Sequence, residues 1–521
     1  MICDFREFET TTPLNTDIAI IGGGAAAIAL ATHLTGSGRH VSIFEAGGLQ
    51  RDTEAQAFYA GTQSGIPYFP LEESRYRLLG GSTFRWGARS APFRPADMAP
   101  RPWLDLAGWP IELADLQPGY DLVPGFLDLH TPFSFSPPNW VEFDAEPPRF
   151  DPEQLESSAF QFGKNLLLGE HFRKALKDAP DIDVYLNAIT HSLRASENGR
   201  MIDHIDLRTT NGKSCRVMAN TFVLACGGIE NARLLLLSND VMAAGLGNDH
   251  DNVGRYFMEH PTVSAGNMEV ADPQALHDVF SPGMVGGRLV ETCIAPTLAT
   301  MEARRMLNVN ASTRLKVGAD ATQALREIVW NMRHRRLPLD LDWYQKNRWL
   351  MQRLGAIARN PMSIISNLVR HKMGKPKRFR IKDMYLELRT EQMPNPQSRV
   401  TLGDKRDALG QPLPHLHWAL TGQDKHTMQQ MAGLVDNELR RLGLGRVNIA
   451  DWLKSDDLTF DPEMVGGHHH MGTTRMSVDP GHGVVDANCR AHGLKNLYVA
   501  GSSVFPTASC THEGDNELRD G

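Results

Sequence analysis

The chain has 521 residues, with 54 Lys plus Arg against 61 Asp plus Glu and a formal net charge of −7. Charged residues make up 22% and hydrophobic residues 41%, the balance of a soluble globular protein, and at roughly 100–200 residues per domain the length holds two to four domain cores. A disordered chain, a disulfide-stapled miniprotein and a collagen-like repeat are excluded, and the net negative charge argues against a nucleic-acid binder. The expectation is a large soluble enzyme.

From the N-terminus, Met1 to Thr16 is acidic and polar, without the basic start and apolar run of a secretory signal. The six cysteines (Cys3, Cys215, Cys226, Cys293, Cys489 and Cys510) include no Cys-x-x-Cys pair. Neither a disulfide framework nor a metal site follows from that spacing, and a reducing, cytoplasmic setting is expected. Ile18–Leu34 is apolar, but it is shorter than the roughly 20 residues of a membrane span. A strand turning into a helix explains it better.

Asp17-Ile-Ala-Ile-Ile21 reads as a buried strand, followed at once by Gly22-Gly-Gly24-Ala-Ala-Ala27, a helical run to Leu34 and a second strand, His40–Phe44, ending at Glu45. This is a β-α-β unit with the Gly-x-Gly-x-x-Ala fingerprint of a dinucleotide site. Gly22 allows the tight turn and Gly24 lets a pyrophosphate approach the backbone. Ala27 permits close helix–strand packing, and the helix N-terminus faces the phosphates. Glu45, 23 residues after Gly22, is placed to accept from a ribose hydroxyl, which disfavours a 2′-phosphate. The motif alone leaves FAD and NAD open.

Leu78-Leu-Gly80-Gly81-Ser82-Thr-Phe-Arg-Trp86-Gly87 is a Gly-rich turn with an aromatic, suited to backbone contact with a flat or phosphorylated ligand. Pro132–Trp140 and Glu146–Pro152 look like loops between packed elements. Thr221–Leu235 reads as strand, turn and helix. From Arg326 to Lys382 Lys and Arg far outnumber Glu327, Asp340 and Asp342, and Leu341–Leu354 and Met362–Met373 read as amphipathic helices. That stretch reads first as a solvated helical face of a cap domain; the competing reading is a basic platform for an anionic membrane surface or an acidic electron-accepting partner. His468-His-His-Met-Gly-Thr-Thr-Arg-Met476, Gly483–Asp486 and the buried strand Asn496–Pro506 complete the set, and the last would return the chain to the cofactor.

In this order the motifs resemble the glucose–methanol–choline (GMC) family of FAD-dependent oxidoreductases, from about Asp17 to Thr507, and within it the bacterial flavin sugar dehydrogenases and pyranose-oxidase-like enzymes. Gly108–Ile111, Gly254–Pro261 and Glu391–Val400 also look like family segments. The resemblance implies an α/β fold (α+β overall): a Rossmann-like FAD-binding domain from residues 1–100, 186–265 and 464–521, with an inserted sheet-plus-helices substrate domain from 101–185 and 266–463. It implies FAD, oxidation of an alcohol carbon, and a sugar or glycoside as the small-molecule substrate. It adds Ala188, Ala225, Gly227, Asn231, Gly501 and Ser502 to the cofactor-binding set of Gly22, Gly24, Ala27, Glu45, Gly80, Gly81, Ser82 and Trp86. Some covalent-flavin members carry His where this chain has Arg85, so noncovalent FAD is expected.

Alcohol oxidation by a flavin needs a hydride acceptor, N5, and a base for the hydroxyl proton, and a histidine near neutral pH suits the second task. In the family pattern His-x-x-Gly-Thr the base is His469. His468 and His470 line the site or are ordinary buried histidines. A metal is not expected there, because adjacent side chains diverge on a strand or a helix. His260 reads as structural, and Glu230, Asn231 and Arg233 as anchors of a helix start. Beyond Thr507 the pattern departs: His512 takes the place of the usual second Asn or His, Glu513 and Gly514 replace Pro-Thr, and no apolar helix follows. A flavin-binding chain without turnover, a family-type lyase and an NAD-linked dehydrogenase are the competing functions.

Overall fold

The computed structural model describes the chain apart from residues 9–11, 85, 130–147, 165–166, 286–287, 318–320, 323, 326–327, 330–342, 374–377, 379–380, 511–513 and 516–521. Two large sheets organise it. The first runs in the order Ile2–Asp4, Ile182–Leu186, Val41–Phe44, Leu14–Ile21, Ser214–Leu224, Ile202–Arg208 and Ile189–Ala195, with Leu497–Val499 also on Ser214–Leu224. Its centre is parallel, in the register Ile18 to Val41, Ile21 to Phe44 and Ile21 to Leu224. Parallel strands covered on both faces read as unbroken apolar runs. Accordingly Ile20, Val41, Ile43, Val184 and Val223 pack with Ala27, Ile28 and Ala31 of the Ala25–Leu34 helix in one buried cluster. The Ile182–Leu186 strand lies within this sheet, although the sequence division placed residues up to 185 with the substrate domain.

The second sheet is antiparallel where it is broadest, in the order Gly445–Ile449, Thr262–Val270, Ile381–Thr390, Val309–Val317, Arg288–Pro296, Leu155–Phe162, Trp86–Ser90 and Gly514–Asp515. Ile381–Thr390 buries Met384, Leu386, Leu388 and Thr390, the every-second-residue pattern of a sheet with one covered face. The helix Gly422–Arg441 supplies a cover. Thr421 and Asp424 form its capping box, and Met428, Met431, Val435 and Leu439 give it a buried stripe at helical spacing. A small third sheet joins Thr62–Gly65 to Pro412–Trp418 and Arg399–Arg406. Arg101 and Glu391 meet in a buried two-pronged ion pair, both contacts 2.6 Å. The two expected amphipathic helices are present as Trp343–Arg359 and Pro361–Lys372.

Candidate active site

The glycine turn sits at the carboxyl end of Leu14–Ile21, where an open α/β sheet binds ligands. Gly22 has φ +97°, and a Cβ on it would lie 2.6 Å from the Ala225 carbonyl oxygen, so only glycine lets the neighbouring strand end approach this closely. Gly24 is the N-cap of the Ala25–Leu34 helix and offers no side chain to its first amides, which leaves them for an anion. The Gly80 amide donates to Gly23 O at 2.8 Å, and a Cβ on Gly81 would lie 3.1 Å from Gly24 Cα. Thus the two glycine-rich motifs form one structure. Ser82 is exposed beside it, and Trp86 is half-buried against the cluster under the sheet.

The C-terminal return closes the slot. Leu497–Val499 pairs with Phe222–Leu224, and Gly501, φ +100°, faces the Ala25–Leu34 helix, where a Cβ would meet only Ala26 Cβ at 3.8 Å. Around Gly227 a Cβ would meet nothing within 4 Å, and around Gly24 only Ala225 O at 4.0 Å. These glycines therefore border open space, not packed protein. That space, bounded by helix amides and Glu45, fits the pyrophosphate and ribose of a dinucleotide. Glu45 accepts from Gly23 N at 2.7 Å and Gly47 N at 2.6 Å, and its other lone pairs stay available to a ribose hydroxyl. Burial raises its pKa, opposed by those two amides and by Arg77.

Ala27, Ala188 and Asn231 are each 0% exposed: Ala27 packs helix on strand and Asn231 anchors a helix start, in keeping with their sequence readings, and Ala188 is sealed in the wall. Asn231 accepts from Cys226 N at 2.8 Å and donates to Ser503 Oγ at 2.9 Å, tying the turn before Gly227 to the C-terminal return. Ala225 is nearly as closed and gives its amide to Ile21 O at 2.8 Å. Glu230 and Arg233 are structural: Glu230 pairs with Arg75 at 2.8 Å, and Arg233 with Asp407 at 2.7 Å.

The three histidines face three different ways. His468 has φ +57°, a left-handed turn that Asn, Asp and His adopt more readily than most residues. Its ring lies 4.2 Å from that of Phe69. The half-buried His469 ring stands perpendicular to His260, 5.0 Å away. His470 is buried, with Nε2 2.9 Å from the Tyr68 hydroxyl; burial, then Arg75 and His468, hold its pKa well below 6.5. It is the ordinary buried histidine of the trio. His260, read from sequence as structural, stands beside the expected base.

Sequence reasoning passed over Glu259, although the Glu-His-Pro segment was in view. Its side chain is 0% exposed. Oε2 accepts from Gly467 N at 2.8 Å, His469 N at 3.1 Å and His260 N at 3.2 Å, and Oε1 accepts from the Tyr68 hydroxyl. Burial raises its pKa to about 7 against the pull of Tyr68 and the amides. One carboxyl thus fixes the backbone on both sides of the His469 ring. Tyr68 carries no motif that would have marked it. Ser502 joins the group by donating to His470 O at 3.0 Å, which places the histidine turn against the C-terminal edge of the slot. Arg85 and His512 lie outside the described residues.

A model of the GMC oxidoreductase family matches residues 394–513. The fructose dehydrogenase large subunit of Gluconobacter japonicus is 22% identical over 94% of this chain and 93% of its own length. Paromamine 6′-oxidase of Streptomyces fradiae is 24% identical over 94% and 87%. Among solved structures, pyridoxine 4-oxidase from Mesorbium loti aligns with a TM-score of 0.56 at 19% identity, covering 95% of this chain and 96% of that one. The matched C-terminal segment holds the histidine turn and the Gly501 return, so over residues 394–513 the chain is similar to the GMC oxidoreductases, and over most of its length it shares the fold of the solved oxidase.

Proposed function

We propose that this enzyme oxidises an alcohol group of a sugar or glycoside, with His469 as the base and FAD held noncovalently. The observation that carries the reading is His469 itself, half-buried at the C-terminal edge of the dinucleotide slot, its backbone fixed by Glu259. The relatives named for fructose and paromamine support the substrate class. FAD, when bound, supplies the hydride acceptor. The chain's own residues do the remainder. Gly22, Gly24, Gly81 and Gly501 admit the dinucleotide backbone, Glu45 orients its ribose, His469 takes the hydroxyl proton, and His260 walls the ring on one side. Glu259, Tyr68 and His470 hold the turn so that His469 needs no rearrangement to meet its substrate.

The first sheet, with Ile182–Leu186 in it, builds the flavin part, and the second sheet, which also takes in Trp86–Ser90 and Gly514–Asp515, forms the substrate side. Six free cysteines support a cytoplasmic place, which cell fractionation checks. For the basic 326–382 segment an anionic lipid surface is favoured over an acidic redox protein, on the apolar exposure described below.

The test is anaerobic absorbance at roughly 450 nm, the oxidised-flavin band, while single pyranoses, glycosides and simple alcohols are added. Bleaching by a sugar or glycoside is the expected outcome. A yellow protein that none of them bleaches would overturn the assignment in favour of a flavin-binding chain without turnover.

A further inference from the structure

An amphipathic helix in a folded protein ordinarily turns its apolar stripe to the core. The Pro361–Lys372 helix does the reverse. At 3.6 residues per turn Met362, Ile365, Leu368 and Val369 share one side, and they are 65%, 53%, 57% and 51% exposed. The opposite side carries Asn367, 2% exposed, whose amide bonds the Thr322 hydroxyl at 3.0 Å and the Arg378 carbonyl at 2.9 Å. The helix is therefore seated on the protein through a polar group and presents its apolar side to water. Met351 and Leu354 of the preceding Trp343–Arg359 helix are also exposed, as is Met373 just beyond. Single exposed apolar residues are ordinary, whereas a stripe along one helix, continued on its neighbour, marks an interaction surface.

The charges say what kind. Residues 343–372 contain Lys346, Arg348, Arg353, Arg359, Arg370 and Lys372 and no Asp or Glu, within a chain of net charge −7. Arg348, Arg359 and Lys372 are exposed on the same two helices. An acidic protein would meet the cations and leave the stripe wet, and an apolar protein face would leave the cations desolvated. An anionic lipid surface satisfies both, with headgroups for the cations and the acyl boundary for the stripe. Among the described residues no helix is long and apolar enough to cross a membrane, so the contact lies in the plane of the bilayer. We propose that the Trp343–Lys372 helical pair docks this enzyme on an anionic membrane, with Met362, Ile365, Leu368 and Val369 entering the acyl boundary.

The test is flotation of the FAD-loaded full chain with phosphatidylcholine vesicles, with and without about 30% phosphatidylglycerol. Binding is expected to the anionic vesicles at low salt and to fall about tenfold or more in the Ile365→Glu/Leu368→Glu variant. Both positions are exposed, so flavin absorbance and thermal midpoint should match the parent and certify the variant's fold. The proposal is overturned if the parent does not float with anionic vesicles, or if the variant floats equally, which would mean adsorption by charge alone. It is also overturned if the variant abolishes a dimer of a chain that binds no lipid, which would assign the stripe to a second copy. Flotation requires no turnover, so it reads the surface independently of the sugar-oxidation proposal.

Discussion

At the scale of single residues, His469 and Glu259 divide the work between chemistry and placement. Removing a general base costs a rate factor of about 10²–10⁴, so His469→Ala should lose that much in stopped-flow flavin reduction while retaining FAD. Glu259 touches no substrate and acts through backbone amides, so Glu259→Gln should lower kcat about tenfold or more with KM little changed. Its pH profile should differ from the parent near neutrality, where the carboxyl titrates, and a purely structural role would not move that limb. The same group predicts a stability trend. Its pKa rises on folding from 4.5 to about 7, so between those values the folded chain keeps a proton the unfolded chain has lost, and stability from this group falls as pH rises. His470 works in the other direction: held neutral below its ordinary 6.5, it loses stability as pH falls through that value. Urea unfolding at pH 5 and pH 8 should therefore show the stability of Glu259→Gln gaining on the parent at the higher pH.

At the scale of elements, polar ties hold the large pieces together. Arg101, in a short turn before the second sheet, and Glu391, just past Ile381–Thr390, are 3% and 1% exposed. Cutting one partner of such a pair strands a buried charge, which costs about 3–5 kcal/mol. Arg101→Leu should show that loss in urea unfolding, whereas replacing both partners by apolar residues should restore much of it. The glycine turn is equally demanding. Gly22→Ala would push a Cβ to 2.6 Å from Ala225 O at φ +97°, forcing the first sheet apart where the cofactor binds. Purified Gly22→Ala should carry substoichiometric flavin, measured as the ratio of visible to ultraviolet absorbance, and unfold at a lower temperature.

At the scale of the whole molecule, the cofactor slot is assembled from distant parts of the chain: the Gly22 turn, the Gly80 turn, Cys226–Gly227 and the Gly501 return. A ligand that binds only this assembled state adds stability by mass action, about 2.7 kcal/mol at a hundredfold excess over Kd. Stripping FAD should lower the thermal midpoint and re-adding it should restore the midpoint, by differential scanning calorimetry. The Asn231 bonds to Cys226 and Ser503 link two of those parts, so Asn231→Leu should weaken FAD retention although it never reaches the ligand.

Much of this was legible in order along the chain. The Gly22–Glu45 unit declared itself because helix and strand periodicities are local and because a tight turn against a phosphate admits few residues besides glycine. The two helices of 343–372 were legible for the same reason, from spacing alone. What spacing could not give was the facing of each surface. Nothing local says that Pro361–Lys372 turns its apolar stripe outward, that His470 is sealed against Tyr68 while its neighbour His469 faces His260, or that Ala188 and Asn231 lie behind the slot wall. Glu259 stood in plain view as one acidic residue among 61. Its role required three amides, from residues 260, 467 and 469, to converge on a single buried oxygen. The sequence by itself determined that a dinucleotide is bound and which strand-turn-helix receives it, because those rest on contacts between near neighbours. Only the tertiary structure decided which side chains are buried, partnered or exposed, because burial is set by segments hundreds of residues apart.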